Sequence, residues 1–171
     1  MYSLAHRFLA ICLLRAGPQD LPASQFLLAL TAGLYLFTGV ALILVDYSLL
    51  DSLGQVLLDV GLLGVVTYIL LSLRRHPRRF VQTYSALMGT GTLLNLGAAP
   101  LLLGIHAAET YGAGMGLFGL LWFVLIIWSM LVTGHIFQHA LEVPLFAGIL
   151  VAMCYMVAIL TLTGHLFPVE G

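Results

Sequence analysis

The sequence predicts an all-α fold: a polytopic membrane protein in which a short amino-terminal interfacial helix precedes a five-helix transmembrane bundle. Three observations predict it. Apolar residues make up 61% of the chain and charged ones 8%, against about 45–50% and about 25% in soluble domains, so most of its surface cannot face water. The apolar residues fall into five runs, and a run of about 20 crosses a hydrocarbon core. The positive charge is confined. All six basic residues are arginines, and four of them lie in Arg74-Arg75-His76-Pro77-Arg78-Arg79. Short arginine-rich loops stay in the cytoplasm when a membrane protein inserts, so this loop sets the topology. Apolar sequence on both sides of it excludes a nucleic-acid patch. One membrane domain, residues 1–171, takes up the chain and leaves no segment for a soluble catalytic domain.

Residues 1–16 read as the interfacial helix. The run Phe8 to Leu14 is bracketed by Arg7 and Arg15, too short to span and without the cleavage site of a signal peptide. Leu4, Phe8, Ile11 and Cys12 share a helical face. Such a helix lies in the cytoplasmic interface; the alternative is a plain helical start buried against the bundle. Gly17-Pro18-Gln19-Asp20-Leu21-Pro22 then breaks the helix, and Ser24 can cap the first span.

Span one covers about 25–45, and the turn after it carries Asp46 and Asp51 with no base. Span two covers about 53–73 and ends at the arginine loop. Both ends of this hairpin carry arginine, so both are expected in the cytoplasm. Span three covers about 80–105. It holds the small-residue patch Gly89-Thr90-Gly91-Thr92, which lets helices approach closely, and Pro100, which neighbouring helices make tolerable inside a membrane. The loop His106 to Gly114 has Glu109 and no arginine, as an outside loop should. Span four covers about 115–133; His135, Gln138, His139, Glu142 and Pro144 form the second cytoplasmic loop. Span five covers about 145–164, with the carboxyl terminus outside. Cys12 and Cys154 read as core-type residues, too few and too far apart for a disulfide framework or zinc site.

Asp59 is the ionisable residue well inside a span. A buried acid in lipid is costly and marks a candidate functional site. Its carboxyl can meet hydroxyls of span one or Asn95 of span three, and Gln55 lies one turn away on its own face. Asp59 with Asn95 would serve a small transporter or proton-linked subunit; the alternative is a structural acid, protonated or hydrogen-bonded within the bundle. The histidines open a haem reading, which needs two of them at matching depth on different helices. His135 and His139 share a face, and only His6 and His76 could partner them on that side; His106 and His165 stand at outer helix ends. No hydrolase order, no His-Glu-x-x-His and no phosphate-cradling glycine loop is present, so neither an enzyme nor a bound cofactor is expected. Arg74, Arg75, Arg78 and Arg79 can contact anionic lipid head groups or a partner.

The second half carries a family resemblance. Phe80-Val81-Gln82-Thr83-Tyr84 opens the third span, and Ala98-Ala99-Pro100-Leu101-Leu102-Leu103 lies near its end. Trp122-Phe123-Val124-Leu125-Ile126-Ile127 comes next in span four, then His139-Ala140-Leu141. This resembles the bacterial branch of the Yip (Ypt/Rab-interacting protein) family over about residues 80–160. The Gly17 to Pro22 segment has no place in that pattern, and the family's amino-terminal region is usually longer. The resemblance implies five spans with a cytoplasmic amino terminus and a membrane-embedded interaction protein without known catalysis. In eukaryotes such proteins work with small GTPases in vesicle traffic. An arginine-only basic set suits a GC-rich bacterium, which leaves the protein partner, or a homo-oligomer, unnamed.

This topology is testable. Single cysteines at Gly17, Ser48, Tyr111 and Gly171, in a background lacking the native cysteines, should fall into two classes. An impermeant maleimide should label the last three from outside and spare the first; labelling of Gly171 together with Gly17 would overturn the five-span arrangement.

Overall fold

The computed structural model describes residues 4–112 and 114–168. The first three residues of the expected interfacial segment, one residue of the loop after span three and the expected outside terminus at 169–171 lie outside the described residues. The described chain is all helix: α1 (Leu4–Cys12), α2 (Gln25–Ile43), α3 (Leu49–Leu73), α4 (Phe80–Tyr111), α5 (Met115–Leu141) and α6 (Leu145–Leu166). Short 3-10 turns at Pro18–Asp20 and Pro77–Arg79 precede α2 and α4. The five helices from α2 to α6 are long and apolar enough to cross a membrane. Large apolar side chains such as Phe26, Phe37 and Leu73 cover their outward faces, which is the surface lipid accommodates and water does not.

The helix limits depart from the sequence expectation at the ends. α3 begins at Leu49, where Ser48 caps it by accepting from the Asp51 amide at 3.2 Å. α4 runs on to Tyr111, past the expected end at Ile105, and stops where Gly112 adopts a left-handed conformation with φ of 69°. Its 32 residues rise about 48 Å, more than the roughly 30 Å of a hydrocarbon core. α5 continues to Leu141, so His135, Gln138 and His139 are helical and not part of a loop. Pro100 stands on an exposed face inside α4, and the helix continues through it. Helices α1, α3 and α5 each end on a non-glycine residue with positive φ: Leu14 (59°), Arg75 (61°) and Glu142 (53°). In each, the next amide reaches back five residues, as in Arg15 to Ala10 at 2.8 Å, His76 to Leu71 at 2.8 Å and Val143 to Gln138 at 3.1 Å. This closure satisfies carbonyls a helix end leaves open.

The bundle is built around α4, which packs against α1, α2, α3 and α5 and both 3-10 turns. Residues 83–90 are buried without interruption. Glycine sets the spacing at several crossings. A Cβ on Gly91 would stand 2.5 Å from the Tyr35 ring of α2, and one on Gly89 would run into the Phe8 ring of α1. The closest approach, missed in the sequence, joins α5 and α6: a Cβ on Gly148 would overlap the Gly134 carbonyl. In lipid no hydrophobic drive holds helices together, so contact depends on such close backbone approach and on interhelical hydrogen bonds.

α1 is fastened to the bundle. Phe8, Ile11 and Cys12 are buried against it, whereas Leu4, expected on the same face, is exposed. The Cys12 carbonyl accepts from the Trp128 indole of α5 at 3.1 Å, and Arg7 donates to the Asp20 carbonyl. One face of α1 is thus buried against the bundle, while its other face, with Leu4 and Leu9, is exposed. Cys154 is exposed on α6 and is not the core residue expected; in a lipid-facing span an apolar thiol needs no burial.

Leucine at Gly89 or Gly91 should lower thermal stability in detergent by several degrees, because Phe8 or Tyr35 must move. Leucine at Ala41 or Ala158, both exposed, should leave it within a degree. Thermal unfolding followed by tryptophan fluorescence gives the comparison, and equal tolerance at all four sites would remove the close-contact account.

Candidate functional site

Three tyrosines from three helices converge on one turn of α3. Tyr35 of α2 donates its hydroxyl to Asp59 Oδ2 at 2.5 Å. Tyr155 of α6 donates to Asp59 Oδ1, and its hydroxyl also lies 3.1 Å from the Asp59 carbonyl. Tyr84 of α4 donates to the Val60 carbonyl at 2.5 Å. The two carboxyl oxygens are thus held from opposite neighbours by the side chain that carries a hydroxyl furthest from its backbone. The expected meeting with a span-one hydroxyl is present. Gln55 on the same helix is not a partner, and its buried amide nitrogen has none among the described residues. Asn95 donates instead to Thr38 Oγ1 at 3.4 Å, joining α4 to α2.

Cavities flank the carboxyl on two sides. One, of about 210 Å³, is bounded by Tyr35, Gln55, Asp59 and Asn95 with Gly39 and Thr163. Its lining comes mainly from the helix halves farther from the arginine loop. The other, of about 260 Å³, is bounded by Asp59, Tyr155, Ser129 and Thr133 and lies toward the arginine end. Tyr35, Asp59 and Ile159 border both. Asp59 and Asn95 therefore share a cavity wall without touching through a hydrogen bond.

The four loop arginines divide into two pairs. Arg74 Nε donates to the Leu141 carbonyl at 3.1 Å and its Nη2 to the Glu142 carbonyl at 3.3 Å. Arg79 donates to the Ala140 carbonyl at 3.5 Å and pairs with the Glu142 carboxylate at 2.6 Å. These are the open carbonyls at the end of α5, where cations also complement the helix dipole. The hydrogen bond from Arg79 and then its charge hold the Glu142 carboxyl below the usual glutamate range. Arg75 and Arg78 are exposed, with no ion pair or hydrogen bond among the described residues.

The histidines are engaged locally. His135 is buried on α5 with Nε2 3.0 Å from the Ala16 carbonyl, and His139 Nδ1 lies 3.0 Å from the His135 carbonyl. His106 sits between Asp46 at 3.3 Å and Glu109 at 3.5 Å, within α4, and not against His165. Among the described residues no group of three or more His, Cys, Asp or Glu gathers as metal ligands would.

Tyr35 and Tyr155 escaped the sequence reading, which looked to acids, amides and histidines for chemistry. A signal existed: each stands ten residues past the first residue of its helix, and both helices start at the arginine end. Equal depth on parallel helices, with an unpaired acid on the antiparallel one between them, is a pairing that periodicity does not reveal.

Fold and site together define a helical bundle with five potential membrane spans and a tyrosine-bound acid inside it. No protein-family model, curated protein or solved structure matches the chain.

Tyr35→Phe and Tyr155→Phe should each lower unfolding stability by about 1 kcal/mol, the scale of interhelical hydrogen bonds in membranes. Together they should cost more than the two added, since the carboxyl then loses both donors. Strict additivity in a double-mutant cycle would show that the carboxyl is served by other groups.

Proposed function

We propose that the chain is a multi-pass protein of a bacterial cytoplasmic membrane, with its amino terminus and arginine loop in the cytoplasm, and that it works as a non-enzymatic interaction or scaffold protein of the Yip type. The orientation rests on the positive-inside rule, and the Yip kinship on the motifs between Phe80 and Leu141. One observation carries the non-enzymatic reading: both oxygens of the most deeply placed acid are occupied by tyrosines of neighbouring helices. The acid's chemistry is spent on holding α2, α3 and α6 together. Arg74 is likewise spent on the end of α5. What remains for a partner is the exposed pair Arg75 and Arg78 at the same end.

A second reading comes from the cavities on either side of Asp59. A carboxyl that borders both could pass a proton or small cation between them, as ionisable residues inside membrane bundles do. Asp59→Asn separates the two. The tagged chain and its Asp59→Asn variant are purified in mild detergent and their companions identified by mass spectrometry. The scaffold reading expects the same partner with both, reduced in Arg75→Ser/Arg78→Ser. Proton uptake by reconstituted vesicles that Asp59→Asn abolishes, without loss of folding, would establish the carrier instead.

A further inference from the structure

A further cleft, of about 250 Å³, opens at the arginine end between the start of α4, the end of α5 and the turn after α1. Gln19, Arg79, Gln82, Thr83, His139 and Glu142 are among the residues that line it. Its volume far exceeds the roughly 30 Å³ share of one water. Thr83 at its wall is 1% exposed, and its hydroxyl has no partner among the described residues. Thr90 and Thr92 on the same helix bond back to carbonyls one turn earlier, at 2.7 and 2.9 Å; Thr83 does not. A buried hydroxyl without a partner carries a desolvation penalty of about 1–3 kcal/mol, which a bound polar group would remove.

The charges around the cleft say what kind of group. Arg79 stands on one side of the balance and Glu142 on the other. Arg79 and Glu142 are 2.6 Å apart, so a simple anion would meet the carboxylate and a simple cation the guanidinium. A small zwitterion meets both. Gln82 donates its amide nitrogen to the Leu21 carbonyl at 2.8 Å, which leaves its carbonyl oxygen to accept. The cleft lies at the end of the bundle where membrane head groups would reach.

We propose that this cleft binds a phosphoethanolamine group, with the phosphate on Arg79 and the Thr83 hydroxyl and the ammonium on Glu142 and the Gln82 carbonyl oxygen. The group can come from phosphatidylethanolamine or from free phosphoethanolamine; the chemistry of the cleft is the same for both. A trimethylated head group lacks the N–H donors that Glu142 and Gln82 require, and a glycerol head group lacks the cation.

The test uses the full chain in detergent, titrated with short-chain phosphatidylethanolamine, phosphatidylcholine or phosphatidylglycerol, or with free O-phosphoethanolamine. Thermal stability and native mass spectrometry are the readouts. Phosphatidylethanolamine should raise the melting temperature and remain bound in the mass spectrum more than the other two lipids. An equal shift with free phosphoethanolamine would assign the source to solution, and its absence would assign it to lipid. Thr83→Val should weaken binding about three- to tenfold, the equivalent of one hydrogen bond. Without ligand it should be as stable as the parent or more so, because it removes an unpaired buried hydroxyl. Glu142→Gln should erase the preference for ethanolamine over glycerol. Equal response to all three lipids, no response to any ligand, or full ligand response in Thr83→Val would each overturn the proposal.

Discussion

Helices in lipid gain nothing from hiding apolar surface, because the solvent is as apolar as they are. The constraint on this bundle is therefore how near its backbones can come to one another, and that is decided mainly along α4. From Thr83 to Thr90 this helix is buried without a break, and its residues in and beside that stretch are small or hydroxylated where neighbours press closest. Gly89 receives Phe8, and Gly91 receives Tyr35. The second contact has a further effect. With its ring seated against Gly91, Tyr35 carries its hydroxyl to the Asp59 carboxyl, so the packing of α2 on α4 positions the polar link to α3.

Two polar assemblies of the described chain follow one rule. At each, an ionisable group is satisfied mostly by neutral dipoles. Asp59 is met by two phenolic hydroxyls, and Arg74 by two backbone carbonyls. Arg79 meets an opposite charge, that of Glu142, at the exposed edge. This is economical where the dielectric is low. Burying a pair of ions requires stripping water from both, a penalty that their mutual attraction often fails to recover; a hydroxyl donor needs far less desolvation. The scarcity of charge in the sequence and the abundance of tyrosine and threonine at helix contacts are thus two sides of the same solution.

Much of the architecture was legible in the chain. The spans announced themselves by length and apolarity, and the prolines near Gln19 and in the arginine loop marked breaks that the structure keeps. Gly89 and Gly91 were recognisable as contact residues because glycine has no other reason to stand in an apolar span. Helix ends were less legible. The segment from Gly134 to Leu141 reads as polar because it holds two histidines and a glutamine, yet both histidines bond to carbonyls of the chain and leave the helix free to continue. The partners of Asp59 were half legible: a hydroxyl from the first span was foreseeable, but Tyr155 lies 96 residues away in sequence and depends on α6 returning beside α2. Pairings of that range come from the register of packed helices, which no local pattern encodes.

The fastening of α1 bears on how the chain is made. This first segment is held by Phe8 at Gly89, by the Trp128 indole and by the His135 ring at Ala16. All three partners belong to helices that leave the ribosome long after α1 has emerged. An element made before its partners is therefore among the last to find its place. Until α4 and α5 are in place, the groove that receives Phe8, Ile11 and Cys12 does not exist. The seating of this one segment thus reports on the assembly of the helices that receive it.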